Sequence, residues 1–199
     1  MTRGPIPTLA ARGISILGHP VVVTPLAGLV AWVAAGGAVT QVRGIVIAGT
    51  IAAMLVMGYS YRQVRSGAWT HVDASERGER RSLSRFLLVA FVVATIAGLA
   101  LQWPPQVSLV LLLAALMVAA TMLAARWCKP SLHLAFAVFS AGMLYVLSPW
   151  AVAGGLLAAW AIGWSRLYLG RHVVADLWCG ALIGAAAGMV LSVGLRWPG

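Results

Sequence analysis

Apolar residues run through most of this chain in blocks long enough to cross a bilayer, and the polar residues gather at the joints between them. A transmembrane helix needs about 20 predominantly apolar residues. Blocks of that kind predict helices over residues 20–36, 44–59, 86–101, 106–125, 132–147, 150–164 and 172–195. Some are short or closely joined, so the expectation is an all-α, polytopic transmembrane helix bundle with six to seven membrane helices. In lipid every backbone N–H and C=O needs a partner within the protein, which favours helices over an open sheet. Pro20 and Pro25 interrupt the first block, as in a partial or re-entrant span. That block does not read as a cleaved signal, because the apolar run starts late and lacks a small-residue cleavage pattern. Neither a repeat nor a linker divides the chain. Residues 1–199 are therefore expected as a single integral-membrane domain, with a basic interfacial loop over 60–85 and a catalytic core over about 126–195.

Composition narrows the class. The chain is 61% hydrophobic and 9% charged, with a mean hydropathy of +0.93. A soluble domain carries roughly 25% charged residues, so a water-soluble enzyme is excluded, as are disorder and coiled coil. The formal net charge is +10, and in so apolar a chain that excess belongs at a membrane surface rather than on nucleic acid. The tight reversals at Pro104-Pro105 and Pro149, with residues 40–43, define one face. All but Arg43 and Arg196 of the 14 Lys and Arg residues fall on the other. The positive-inside rule makes that basic face cytoplasmic, in a multi-pass protein of a bacterial inner membrane. Trp103, Trp150 and Trp197 near one end, and Trp69, Trp127 and Trp164 near the other, fit interfacial belts. Cys128 and Cys179 form no disulfide framework and no metal spacing, and are read as inert.

The candidate chemistry starts at Asp176, four residues after His172. At that spacing two side chains share a helix face. A carboxylate that holds one ring nitrogen of a histidine fixes the tautomer and leaves the other nitrogen as nucleophile or base. Arg166, preceded by Ser165, stands six residues before His172, and an arginine fork suits a phosphoryl group. An ionisable pair at a membrane boundary reads as functional.

The stretch Ser165-Arg166-Leu167-Tyr168-Leu169-Gly170-Arg171-His172-Val173-Val174-Ala175-Asp176 resembles the third signature of the type 2 phosphatidic acid phosphatase superfamily, Ser-Arg-x5-His-x3-Asp, at all four fixed positions. The family's second signature, Pro-Ser-Gly-His, is approached by Pro130-Ser131-Leu132-His133, with Leu132 in place of the glycine. The first signature, Lys-x6-Arg-Pro, has no counterpart. Lys129 and Arg126, or the cluster of Arg77, Arg80 and Arg81, could supply its charge.

The resemblance implies a lipid phosphatase. His172 would attack phosphorus and form a phosphohistidine, Asp176 would orient it, and His133 would protonate the leaving oxygen and then assist water. Ser131, Arg166, Lys129, Arg126, Ser165 and Arg171 would bind the substrate. The substrate would be a lipid phosphate or diphosphate, such as a polyprenyl diphosphate or a phospholipid phosphate. Phosphoryl transfer rests on positioning and positive charge, so neither metal nor cofactor is expected. A membrane protein of the same fold without hydrolysis, such as a phosphotransferase or a lipid-phosphate binding or transport module, is the alternative.

Other features carry plainer expectations. Arg171 is adjacent to the nucleophile and reads more as a membrane anchor than a ligand. Asp73, Glu76 and Glu79 could grip a divalent ion, but pairing with Arg77, Arg80 and Arg81 is favoured. His71 reads as loop surface and His19 as a cap on the first span. Gly180, Gly184 and Gly188 permit close helix packing, within the bundle by preference or against a second copy in a homo-oligomer.

Overall fold

In the computed structural model the described residues are 5–70, 72, 74 and 76–194; Arg3, His71, Asp73, Arg196 and Trp197 lie outside them. All regular structure among the described residues is helical: α1 (Pro5–Leu17), α2 (Pro20–Ala34), α3 (Val39–Arg65), α4 (Arg77–Ala100), α5 (Pro105–Ala124), α6 (Leu132–Met143), α7 (Pro149–Tyr168) and α8 (Val174–Gly194). A short 3-10 turn, Leu144–Val146, extends α6.

The helices begin where local chemistry starts them. The side chains of His19, Ser131 and Ser148 cap α2, α6 and α7 by accepting backbone N–H groups. Such caps satisfy donors that a helix start leaves orphaned. Proline opens α2, α5 and α7, where its missing N–H costs nothing. Glu79 reaches back to the Glu76 N–H at 3.0 Å and closes the start of α4.

Helix α6 is the hub. It packs against α8, α7 and α2, while α5 joins α4 to α8, and α1 lies on α7. The main core gathers Ala135, Phe136, Phe139 and Met143 of α6 with Met117 and Val118 of α5 and Leu191 of α8. Gly180, Gly184 and Gly188 all face α6. A Cβ on Gly180 would stand 2.6 Å from the Ser131 carbonyl oxygen, one on Gly184 would overlap the Ala135 carbonyl, and Gly188 abuts Gly142. The glycine stripe is therefore used inside the bundle, where it permits close backbone approach.

Helices α3 (from Gln41), α4, α5 and α8 are long and apolar enough to cross a membrane. Helices α1 and α2 form a pair bent by 56° that counts as a fifth span if the two are taken together. The expected six to seven spans are thus reduced to four or five on length and apolarity. Helix α6 is too short to qualify. Large apolar side chains such as Ile47, Ile51, Leu55, Val93 and Leu182 face outward, as lipid-facing surface requires. The expected 60–85 loop also contracts: α3 runs on to Arg65 and α4 starts at Arg77. Helix α1 was not foreseen. It presents Ile6, Leu9, Ile16 and Leu17 outward and buries Ala11 and Ser15 against the bundle.

Candidate active site

The site forms where the starts of α6 and α8 meet the end of α7. Helix α7 stops in a Schellman turn. The Arg171 N–H donates to the Arg166 carbonyl at 3.0 Å and the Gly170 N–H to the Leu167 carbonyl at 2.9 Å. Gly170 has φ +68°, a conformation that costs a residue with a side chain and not glycine. This reversal is the physical content of the spacing between Arg166 and His172: it returns the chain so that both side chains serve one place.

Asp176, in the first turn of α8, organises the rest. Its carboxylate accepts the Lys129 N–H at 2.8 Å and the Val173 N–H at 3.2 Å. The Val173 bond closes the start of α8 from within. The Lys129 bond ties the α5–α6 junction to α8 across 47 residues of sequence. The Ser131 N–H donates to the Asp176 carbonyl at 3.1 Å and reinforces the tie. Asp176 is therefore first a clamp between two motif segments.

The clamp fixes the state of His172. Its Nδ1 stands 3.2 Å from the Lys129 carbonyl oxygen and 3.5 Å from Asp176 Oδ2. A carbonyl only accepts, so Nδ1 carries the proton and donates it, and Nε2 keeps its lone pair. The ring lies in the α7–α8 loop. Burial pushes its pKa down from 6.5 to about 4, helped by the positive charges of Arg166 and Arg80 and opposed by Asp176. At neutral pH His172 is an uncharged imidazole whose Nε2 keeps its lone pair.

His133 is buried at the second position of α6, and its Nε2 has no hydrogen-bond partner. It lies within electrostatic reach of His172 and Arg166. A buried polar atom without a partner calls for a ligand or a reacting proton. Arg166 is buried on the last turn of α7, and one of its terminal nitrogens donates to Ser15 Oγ at 2.7 Å.

Other expected ligands are placed differently. Ser165 is fully buried and its hydroxyl donates to the Ile162 carbonyl at 2.7 Å, so it is not turned to a substrate. Arg126 is exposed, donates to the Leu123 carbonyl at 3.2 Å and lies over the Trp127 ring at 4.5 Å, turned away from the site. Ser131 is buried, and its hydroxyl accepts the Leu134 N–H at 3.4 Å as the α6 cap. Lys129 enters through its backbone. Arg171 is half-buried beside His172. Cys128 and Cys179, expected to be inert, are paired as a disulfide that links the α5–α6 junction to α8. Among the acids, Glu79 is spent on the Thr70 N–H and hydroxyl and on the Glu76 N–H. No cluster suited to a metal occurs among the described residues.

Three side chains join the site from outside the expected core. Arg80, at the start of α4, reaches His172 and Asp176 electrostatically, and its Nε donates to the Ala74 carbonyl at 3.2 Å. Its neighbours Arg77 and Arg81 are exposed. Ser15 arrives through Arg166. His19 brings its ring edge-on to His133, with centroids 4.9 Å apart and planes at 85°. Spacing could not have found Ser15 or His19, since each meets a partner more than a hundred residues away. Comparison with protein-family models, curated proteins and solved structures finds no match for this chain.

Proposed function

We propose that this protein is an integral-membrane phosphatase that hydrolyses a lipid phosphate or diphosphate through a phosphohistidine. The observation that carries the reading is the state of His172: Nδ1–H held by the Lys129 carbonyl and Asp176, Nε2 bare, and the ring uncharged. The Nε2 lone pair would form the bond to phosphorus as the ester or anhydride P–O bond breaks. His133 would pass a proton to the leaving oxygen and then take one from the water that attacks the phosphohistidine. Arg166 and Arg80 would neutralise the equatorial oxygens, and such charge is most of what phosphoryl transfer asks of a protein. Arg80 thereby supplies a cation where the family's first signature is missing.

In this reading α6 with its 3-10 turn and α7 also cross the membrane, giving the six or seven spans of a lipid-phosphatase-like bundle. The site then lies at headgroup depth, and the lipid-facing helices hold the apolar part of a polyprenyl or acyl substrate. The basic face is cytoplasmic.

A member of the same fold that binds or transfers without hydrolysis is favoured by one observation. Ser131 stands at the second signature, yet its N–H and hydroxyl are engaged by Asp176 and Leu134. Phosphate release from a panel of lipid phosphates by detergent-purified protein, with EDTA present, separates the two. The phosphatase reading expects release that survives EDTA and falls on the order of 10³-fold or more in His172→Ala. Release that is unchanged in His172→Ala, or absent on every lipid, contradicts it.

A further inference from the structure

The bend between α1 and α2 is the part of the molecule that neither the motif nor the bundle explains. It is held at both ends by the candidate site. On one side Ser15 Oγ receives a hydrogen bond from Arg166 at 2.7 Å, across 151 residues of sequence. On the other the His19 ring stands edge-on to His133 at 4.9 Å. Between them Gly18 is packed against Ile162 so closely that a Cβ there would overlap it. One turn further on, the Ser140 hydroxyl of α6 donates to Thr24 Oγ1 of α2 at 3.1 Å.

One of the His19 ring nitrogens caps α2: Nδ1 accepts the Val21 N–H at 3.3 Å. That bond fixes the ring plane and puts any ring proton of neutral His19 on Nε2. The ring so held presses on His133, whose own Nε2 is buried with no hydrogen-bond partner. No hydrogen bond from His133 Nε2 sets the orientation of that ring, which leaves the task to its packing, the His19 ring included.

We infer that His19 is a positioning residue of this site, which holds the His133 ring at the angle needed to protonate the leaving oxygen. The inference rests on the phosphatase reading. General acid assistance contributes roughly 10²–10⁴-fold, and in the step that forms the phosphohistidine it matters only when the leaving group needs a proton; the later attack of water is common to all substrates. An alkyl phosphate does, and an aryl phosphate with an acidic phenol does not. Loss of positioning therefore has a signature that loss of fold lacks.

The variants separate the two duties of His19. His19→Asn keeps a side-chain acceptor for the Val21 N–H and removes the ring. His19→Phe keeps a ring and removes the acceptor. The full-length protein in detergent is assayed on a lipid phosphate and on p-nitrophenyl phosphate, with thermal unfolding alongside. We expect His19→Asn to unfold near the wild-type temperature. Its kcat/KM, which reports the step that expels the leaving group and not the later attack of water, should fall roughly 10–100-fold on the lipid phosphate and less than about 3-fold on the aryl phosphate. His133→Ala should show the same asymmetry, and His19→Asn should add little to it. His19→Phe should recover part of the lost lipid-phosphate kcat/KM. Equal loss on both substrates, or no loss on either, would overturn the role of His19 while leaving the phosphatase reading standing. A wild-type protein that releases phosphate from neither substrate would overturn both.

Discussion

At the scale of single residues, the site turns on a carbonyl. Lys129 was singled out for its charge, yet its backbone does the demonstrable work by accepting the His172 Nδ1 proton and donating to Asp176. Asp176→Asn should cost roughly 10²–10⁴-fold in kcat, because the amide can present a donor where the ring needs an acceptor. A wild-type kcat in that variant would mean that Asp176 only caps α8. The His172 pKa makes a second prediction with a definite sign. Burial and the cations Arg166 and Arg80 disfavour imidazolium, so the ring stays neutral as pH falls past 6.5 and protonates only near about 4. NMR titration of ring nitrogens in the free protein, assigned by difference against His172→Ala, should show that midpoint. Arg80→Gln should raise it. A midpoint near 6.5, unmoved by Arg80→Gln, would remove both burial and the Arg80 charge from the account. At this scale the pairing of His172 with Asp176 was legible, because residues four apart meet within about one helical turn. Ser165 was not, since no spacing tells whether a serine faces a substrate or its own helix.

At the scale of elements, the sequence exposed whatever is encoded locally. The apolar blocks of α3, α4, α5 and α8 and the proline starts of α5 and α7 could all be read directly. Helix α1 escaped notice because its stretch, PIPTLAARGISIL, is short and only half apolar, and two prolines precede its apolar face. The disulfide escaped because its partners are 51 residues apart and meet only when α6 docks on α8. That docking depends on missing side chains. Gly184→Leu should push α6 away from α8 and destabilise the protein by about 1–3 kcal/mol or more, read as a lower unfolding temperature in detergent. An unchanged temperature would show that the two helices do not approach so closely. In oxidised purified protein, Cys179→Ser should remove about 2–4 kcal/mol of the constraint, and reductant should lower the wild-type unfolding temperature toward that of the variant. Insensitivity to reductant would mean the bond does not form.

At the scale of the whole molecule, the charge distribution is what the proposed orientation rests on. The basic residues at the ends of α3, α5 and α7 and the starts of α4 and α8 share the face that carries the site, with Arg43 at the opposite end of α3. Under the proposed orientation, positive-inside bias would turn the site toward the cytoplasm. Ser66 is exposed just past α3. A Ser66→Cys probe, in a background with both native cysteines replaced by serine, should resist an impermeant thiol reagent in intact cells and react after permeabilisation. Labelling in intact cells would reverse the orientation. It would also place Cys128 and Cys179 where disulfides persist, whereas the cytoplasm would keep them as thiols.

The central claim is that His172 becomes covalently phosphorylated. The most direct measurement is to mix detergent-purified protein with a lipid phosphate, quench in base within the first turnover, digest, and weigh the peptides by mass spectrometry. Base preserves phosphohistidine and acid destroys it. The account predicts one added phosphoryl group on the peptide that contains His172, lost on acid treatment and absent from His172→Ala. Phosphate release with no such adduct, or an adduct that persists in His172→Ala, would contradict it.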